Sequence, residues 1–365
     1  MLKILDRYIL RAFFTNYLIA IGVMIGLYVI LDLFVNIDEF TKAETDSMWQ
    51  TIARIADFYG YNLFLYFAQL AGVIILVAGC FTLGRFHRTN ELTAVLASGT
   101  SLYRVAAPII LAALGMNALW FFDQEVIIPR IAQKLARKHA DIEGRLSFAI
   151  WFQPDPRNNA LVSASLFSPR TQEMRGVIIM KRDAQNRMTD VIRADRARWD
   201  PERGLWHLDN SSAIRFGSDP AAEAGDLGRE TVMEYPSDLT PKELSLLQAT
   251  MWTSFVSLPE LDRLHQRFAA TGTTEFIKVK HRRLTTILVN MILLCLGAPF
   301  FLNRERPSVL VAGGRCLALC GACYVVTFIC QNVDVAGLAY PALPAWLPVL
   351  IFGPIAVVQM DSIKT

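Results

Sequence analysis

Val105-Ala106-Ala107-Pro108-Ile109-Ile110-Leu111-Ala112-Ala113-Leu114-Gly115-Met116-Asn117-Ala118-Leu119-Trp120-Phe121-Phe122 carries no charge along its whole length. As a helix it reaches ~27 Å, close to the ~30 Å of bilayer hydrocarbon. The residues on its C-terminal side decide the fold. The next such run begins only near residue 284, so a large polar segment, 123–283, stands between two apolar ones. Outward from there, comparable runs lie at 12–31, 58–84, 284–302, 316–333 and 335–360. Six crossings are expected. The composition agrees: 53% of residues are apolar and 19% charged, against ~45–50% and ~25% in soluble domains. A cytosolic enzyme is excluded, and a net charge of +3 is too small a field for a nucleic-acid binder.

The short loops orient the spans. Lys3, Arg7 and Arg11, then Arg85, Arg88 and Arg104, then Arg304, Arg306, Arg315 and Lys364 all fall on one side. The opposite loops, 36–55 and 331–345, hold only Lys42 and Arg54. Basic loops stay inside, so both termini are expected in the cytoplasm. Arg7 and Arg11 precede a run too long for a signal-peptide core, and no A-x-A site comes after it, so the first span reads as retained.

The segment 123–283 then faces outward, and its periodicity turns strand-like. Ala160, Val162, Ala164 and Leu166 alternate with Ser163 and Ser165. Further strands are expected at 176–181, 189–198, 205–208 and 213–216, parted by turn clusters at 155–159 and 200–204. Short strands without intervening helices indicate a sandwich or jelly-roll. A helix is expected from Pro259 to Ala270, with Ser257 as its cap and Gly272 at its end. The expected fold is an α-helical membrane protein with six transmembrane helices and an extracytoplasmic all-β, jelly-roll-like domain between helices 3 and 4. Its parts are 1–122 with spans one to three, 123–283 with the β-domain and flanking helices, and 284–365 with spans four to six.

Several chemistries are missing from the sequence. There is no Gly-Lys dipeptide for a phosphate loop, no H-E-x-x-H and no G-x-S-x-G. Asp32, Asp57, Asp123 and Asp334 fall near the outer boundary of the runs, where a proton or sodium relay would place carboxylates at the centre. All six cysteines lie in spans, and Cys316, Cys320 and Cys323 share a helical face. A thiolate trio in lipid is costly, so apolar packing is expected there rather than a metal site. If the chain does work, a partner supplies the energy.

The loop between spans two and three reads Leu83-Gly84-Arg85-Phe86-His87-Arg88-Thr89-Asn90-Glu91-Leu92-Thr93-Ala94-Val95-Leu96-Ala97-Ser98-Gly99-Thr100-Ser101. Thr89 or Asn90 caps a short helix within about 85–101, Glu91 favours its N-terminus and Gly99 closes it. Leu92, Val95 and Leu96 give an apolar face. Such a helix fits either a groove in an ATPase or the lipid headgroups.

At these residues the chain resembles the lipopolysaccharide-export permeases LptF and LptG, whose loop reads roughly S-E-L-x-A-x-x-A-x-G-x-S. Glu91, Leu92, Ala94, Ala97, Gly99 and Ser101 match that pattern. Leu5-Asp6-Arg7-Tyr8-Ile9, the stretch from Lys280-His281-Arg282-Arg283 to Gly297-Ala298-Pro299, and Pro344-Ala345-Trp346-Leu347-Pro348 are similar too. Asp238-Leu239-Thr240-Pro241 and the N-terminus look more like the LptG member.

The resemblance implies a permease subunit that is not an enzyme and holds no cofactor. ATP and Mg are expected on a cytoplasmic ABC ATPase dimer docked through Arg88, Glu91, Leu92, Val95, Leu96 and Gly99. The other implied partners are a second permease subunit, a single-span periplasmic bridge protein, and lipopolysaccharide or a related glycolipid. The implied place is the inner membrane of a Gram-negative-type bacterium, with 12–31 and 316–333 as lateral gates and 145–250 as the lipid slide. Family members often carry lysines at the outer end of span one, where this chain has Asp32, Asp38, Glu39, Glu44 and Asp46. Two other basic clusters, Arg130, Lys134, Arg137 and Lys138, and Lys278, Lys280, Arg282 and Arg283, are expected either to face lipid phosphate or to anchor in headgroups. An ion-coupled transporter and a non-transporting scaffold for the β-domain are the alternatives. A scaffold has no use for a coupling helix.

Overall fold

The computed structural model describes residues 4–41, 48–135, 147–183, 185, 187–216, 229–247, 255–268, 275–302, 309–332, 340 and 342–363. Among these, six helices are long and apolar enough to cross a membrane. They are α1 (Ile4–Thr41), α2 (Met48–Arg88), α4 (Leu102–Phe122), α8 (Glu275–Gly297), α9 (Val309–Asn332) and α10 (Leu343–Asp361). The short α3 (Glu91–Ala97) joins α2 to α4, and a π turn, Asp123–Ile127, carries α4 into α5 (Ile128–Leu135). Every span except α10 begins before its apolar stretch does. In particular α8 starts at Glu275 rather than near residue 284, so Lys278, Lys280, Arg282 and Arg283 lie on its first turns.

Lipid offers no hydrophobic drive for helices to meet, so close approach and polar ties hold them. Gly72 and Gly79 on α2 supply the approach: a Cβ on Gly72 would lie 2.3 Å from Asn290 Oδ1, and one on Gly79 2.4 Å from Leu294 Cδ1. Asn290 Nδ2 in turn donates to Asn117 Oδ1 at 2.9 Å, joining α8 to α4 inside the core. Trp120 Nε1 donates to the Ala68 carbonyl at 2.9 Å, tying α4 to α2. Cys316, Cys320 and Cys323 are buried in this core, with Cys80 Sγ 3.7 Å from Cys316 Sγ.

The insert holds one antiparallel sheet: β1 (Phe148–Asp155), β2 (Ala160–Ser168), β3 (Glu173–Arg182), β4 (Met188–Asp200) and β5 (Leu205–Arg215), in chain order. Two short pieces, β6 (Arg229–Glu230) and β7 (Glu234–Pro236), pair with opposite halves of β5 and act as one interrupted sixth strand. The insert is therefore all-β over its described strands. β1 had no counterpart among the expected strands. The stretches 205–208 and 213–216, read as two strands, are the single β5.

The reason lies in a fault line across the sheet. Each strand buries alternate residues, then exposes two in a row, then resumes in the opposite phase. The exposed doublets are Trp151-Phe152, Ser165-Leu166, Arg175-Gly176, Asp195-Arg196 and Asp209-Asn210. Phe152, Gly176 and Asn210 carry positive φ of 44°, 59° and 51°. From β2 to β5 the pairing keeps one register on both sides of the doublets, so no residue is inserted there and the left-handed residues turn the strands locally. Only the doublet of β1 shifts register against β2, between Ile150 and Gln153, as a bulge does. The polar run from Asp209 to Ser212 thus looks like a turn in sequence and is a bend within a strand.

The buried side packs Phe167, Met174, Ile179 and Trp206, with Trp206 Nε1 donating to the Leu239 carbonyl at 3.0 Å. Leu244 of α6 (Pro241–Leu247) and Leu239, two residues before that helix, close this core. Thr240 and Glu243 form a reciprocal capping box at its start, each backbone N–H meeting the other's side chain at 3.2 Å. At the far edge Tyr235 donates to Asp155 Oδ2 at 2.7 Å, deep in the sheet core. The expected helix at 259–270 is present as α7 (Leu258–Phe268), while Gly272 lies outside the described residues.

Candidate functional site

Two places collect the residues singled out in the sequence. The first is α3. Chain reversal ahead of it is made by Asn90 in the left-handed region (φ 61°), without a capping bond from its side chain. The Thr89 hydroxyl instead lies 2.8 Å from Glu91 Oε1. Gly99, at φ +75°, ends the element as expected, its N–H donating to the Leu96 carbonyl at 2.9 Å.

The helix turns its apolar side inward. Leu92 is only 5% exposed and packs against the bundle, where Leu5, Tyr8, Ile9, Phe86 and Val105 surround it. Val95 and Leu96 are half-buried against the same core. Leu92 is therefore a root that fixes α3 to the spans, a correction to its expected role as an outward knob. The free surface of α3 consists of Thr93, Ala94, Ala97, Ser98 and Gly99, flanked by exposed Arg88 and half-exposed Glu91. The amphipathic spacing announced an apolar face. Which surface that face met was decided by span one, whose first turns cover it.

The second place is the outer end of the bundle. Arg283 is 4% exposed, its Nη1 2.8 Å from Glu125 Oε1 and its Nη2 2.5 Å from the Val256 carbonyl. The other Glu125 oxygen accepts the Leu258 N–H at 2.8 Å, holding the first turn of α7. One largely buried carboxylate, 13% exposed, thus joins the π turn, α7 and α8. Arg283 does not face lipid phosphate, contrary to expectation, because a desolvated guanidinium needs its charge partner beside it. Lys280 Nζ meets both oxygens of Asp262, at 2.7 and 3.0 Å. Lys134 Nζ lies over the Tyr61 ring, 3.9 Å from its centre, and donates to the Tyr61 hydroxyl. Arg130 is exposed and Arg282 half-buried. Arg137 and Lys138 lie outside the described residues. The two clusters therefore come to one end of the bundle, with their charges partly spent on structural ties.

Glu125 was missed in the sequence. Its signal was an acidic residue just past span three facing a basic run just before span four. Asp32, on the acidic side of α1, has a comparable structural use: Tyr59 of α2 donates to its Oδ2 at 2.7 Å and Asn36 to its Oδ1 at 3.2 Å. Within the π turn Asp123 is also buried, and its carboxylate accepts no bond from the described residues.

Comparison with known proteins adds one finding. The model of the family described as lipopolysaccharide export system permease LptF/LptG matches residues 7–360, nearly the whole chain. That description covers both members and does not separate them. No curated protein matches the chain.

Proposed function

Since this chain belongs to the LptF/LptG family of lipopolysaccharide export permeases, we propose that it is one permease half of an ATP-driven exporter in the inner membrane. Two such halves face each other. A cytoplasmic ABC ATPase dimer, which binds ATP and Mg, grips α3 of each. The lipid, lipopolysaccharide or a related glycolipid, enters from the outer leaflet past α1 and α9. It then passes along the bent sheet, completed in jelly-roll fashion, to the sheet of a single-span periplasmic bridge protein. Both termini lie in the cytoplasm and the sheet in the periplasm.

The observation that carries this is the posture of α3 in a chain matching the family over nearly its full length. Leu92 anchors the helix and leaves Arg88, Glu91, Thr93, Ala94, Ala97 and Gly99 to meet a partner. Power applied to an element rooted in the spans is transmitted to them, which a loosely attached loop would not do. At the other end Arg130, Lys134, Arg137, Lys138 and Arg282 remain the proposed phosphate contacts, whereas Arg283 and Lys280 serve as ties.

Co-purification from membranes tests the reading. The chain should bring an ATPase with it, and Glu91→Lys should cut that recovery at least ~tenfold with the thermal midpoint unchanged, as loss of a charge-assisted contact implies. Lipid export by the chain with no ATPase attached would overturn the proposal.

A further inference from the structure

The π turn that carries α4 into α5 has its cause just beyond it, in Pro129. Proline has no N–H to give, and its ring would collide with the carbonyl of residue 125 in an unbroken α-helix, so the chain widens there. The widened turn buries Asp123 and Gln124, which are 2% and 8% exposed. Neither oxygen of the Asp123 carboxylate receives a hydrogen bond from the described residues. Helices α2, α4 and α5 pack against the turn. Past Arg104, α4 brings no titratable side chain. On α2, Tyr61 receives Lys134 of α5, Tyr59 and Tyr66 donate to Asp32, and Arg54 and Asp57 have partners of their own. Arg130 of α5 is exposed. Glu125, on the turn itself, is taken by Arg283 of α8 and the Leu258 N–H, and Lys280 of α8 by Asp262. None of these groups donates to Asp123, and none stands close enough to hold it as an anion.

A buried carboxylate with neither a cation nor a hydrogen-bond donor gives up its charge by taking a proton, which costs far less than ionisation in that place. A metal ion is a poorer occupant, since no group of three or more histidine, cysteine or carboxylate side chains among the described residues could hold one. We propose that Asp123 is a proton-binding site at the joint between the bundle and the insert. The proton stays on the carboxyl while the turn is packed against α2, and passes to water when the turn opens. The carboxylate left behind stands two residues from the Glu125 carboxylate, and its charge keeps the turn open until a proton returns. Because Glu125 of the same turn holds α7 and α8, an open turn loosens the insert from the spans. The proposal rests on the burial of Asp123 and stands apart from the export reading.

Infrared difference spectra of the full-length protein, purified with whatever subunits accompany it, test this directly. At neutral pH the carbonyl stretch of a protonated carboxyl should be present, and it should be absent from Asp123→Asn. An isotope label in the aspartate carboxyl should shift that band in the unaltered protein, whatever the fate of the variant. Unfolding by denaturant supplies the second readout. Between about pH 4 and neutrality the unfolded aspartate is ionised while the folded one keeps its proton. The folded state then binds the extra proton, so stability falls as pH rises. The unfolding constant of the unaltered protein should rise against that of Asp123→Asn by about tenfold per pH unit. Ala132 of α5 is 4% exposed and packs in the same cluster as Ala68 of α2. In Ala132→Cys, labelling of that residue by a water-soluble maleimide should rise with pH more steeply than when Asp123→Asn is also present. A missing band, a band that the label does not shift or that survives Asp123→Asn, a stability difference independent of pH, parallel labelling in the two backgrounds, or a band that responds to sodium at fixed pH would each overturn the proposal.

Discussion

Arg283 and Glu125 stand far apart in the chain and meet in the core at 2.8 Å. Removing one member of such a pair leaves a charge stranded without water, which typically costs ~3–5 kcal/mol, whereas replacing both by apolar groups is often close to neutral. Arg283→Ala should therefore lower the thermal midpoint of the detergent-purified chain sharply. Glu125→Leu with Arg283→Met should recover much of the loss, short of what the unpaired Leu258 N–H forfeits. Equal damage from the single and double variants would show that the charge is not the cause. In the sheet, Tyr235 poses a pH question. Burial, reinforced by the Asp155 carboxylate it donates to, raises the Tyr235 hydroxyl above its ordinary value of 10.0. Above pH 10 the unfolded chain loses that proton while the folded one keeps it, so stability falls as pH rises. The advantage of the native protein over Tyr235→Phe should be full below pH 10 and shrink above it, as followed by midpoints at several pH values.

At the scale of elements, the fault line across the sheet makes a sharper demand on sequence than any strand pattern. Gly176 sits at φ +59°, and a Cβ there would lie 2.3 Å from Ser165 Oγ. Gly176→Val should cost ~1–3 kcal/mol or more, since both strain and crowding act. Asn210 has a similar φ of 51°, and its side chain donates to Asp195 Oδ2 on the exposed surface, so Asn210→Gly trades relief of strain against that surface bond and should be close to neutral. Chemical denaturation of the full chain compares the two, and equal effects would argue against the bend as their source. The bend also explains why alternation located β2, β3 and β4 but divided β5 and passed over β1. A phase shift in the middle of a strand weakens a period-2 signal even where the neighbouring strands stay in register, as β2 with β3 and β4 with β5 do.

For the whole molecule, α3 is where the bundle would feel a partner, and its two faces separate stability from coupling. Leu92→Ala opens a cavity in the core beneath the helix and should lower the thermal midpoint, by ~2–5 kcal/mol for a large-to-small core change. Ala97→Trp, on the exposed face, should leave the midpoint unchanged and reduce ATPase recovery. Differential scanning fluorimetry beside quantitative co-purification reads both, and the same response from the two variants would contradict a rooted helix with a free outer face. The six spans and the place of the insert were legible in the sequence alone. In lipid a long apolar segment satisfies its backbone only as a helix, so a windowed sum of hydropathy suffices to find it. The short helix of the loop was legible for the same local reason, since its leading charge and closing glycine fall within a few turns, although the expected side-chain cap from Thr89 or Asn90 is not made. Tertiary structure decided the inward turn of Leu92, the capture of Arg283 by Glu125 and the bend through Gly176 and Asn210. Each depends on what lies opposite a residue in space, and burial against a distant neighbour leaves no periodic trace along the chain.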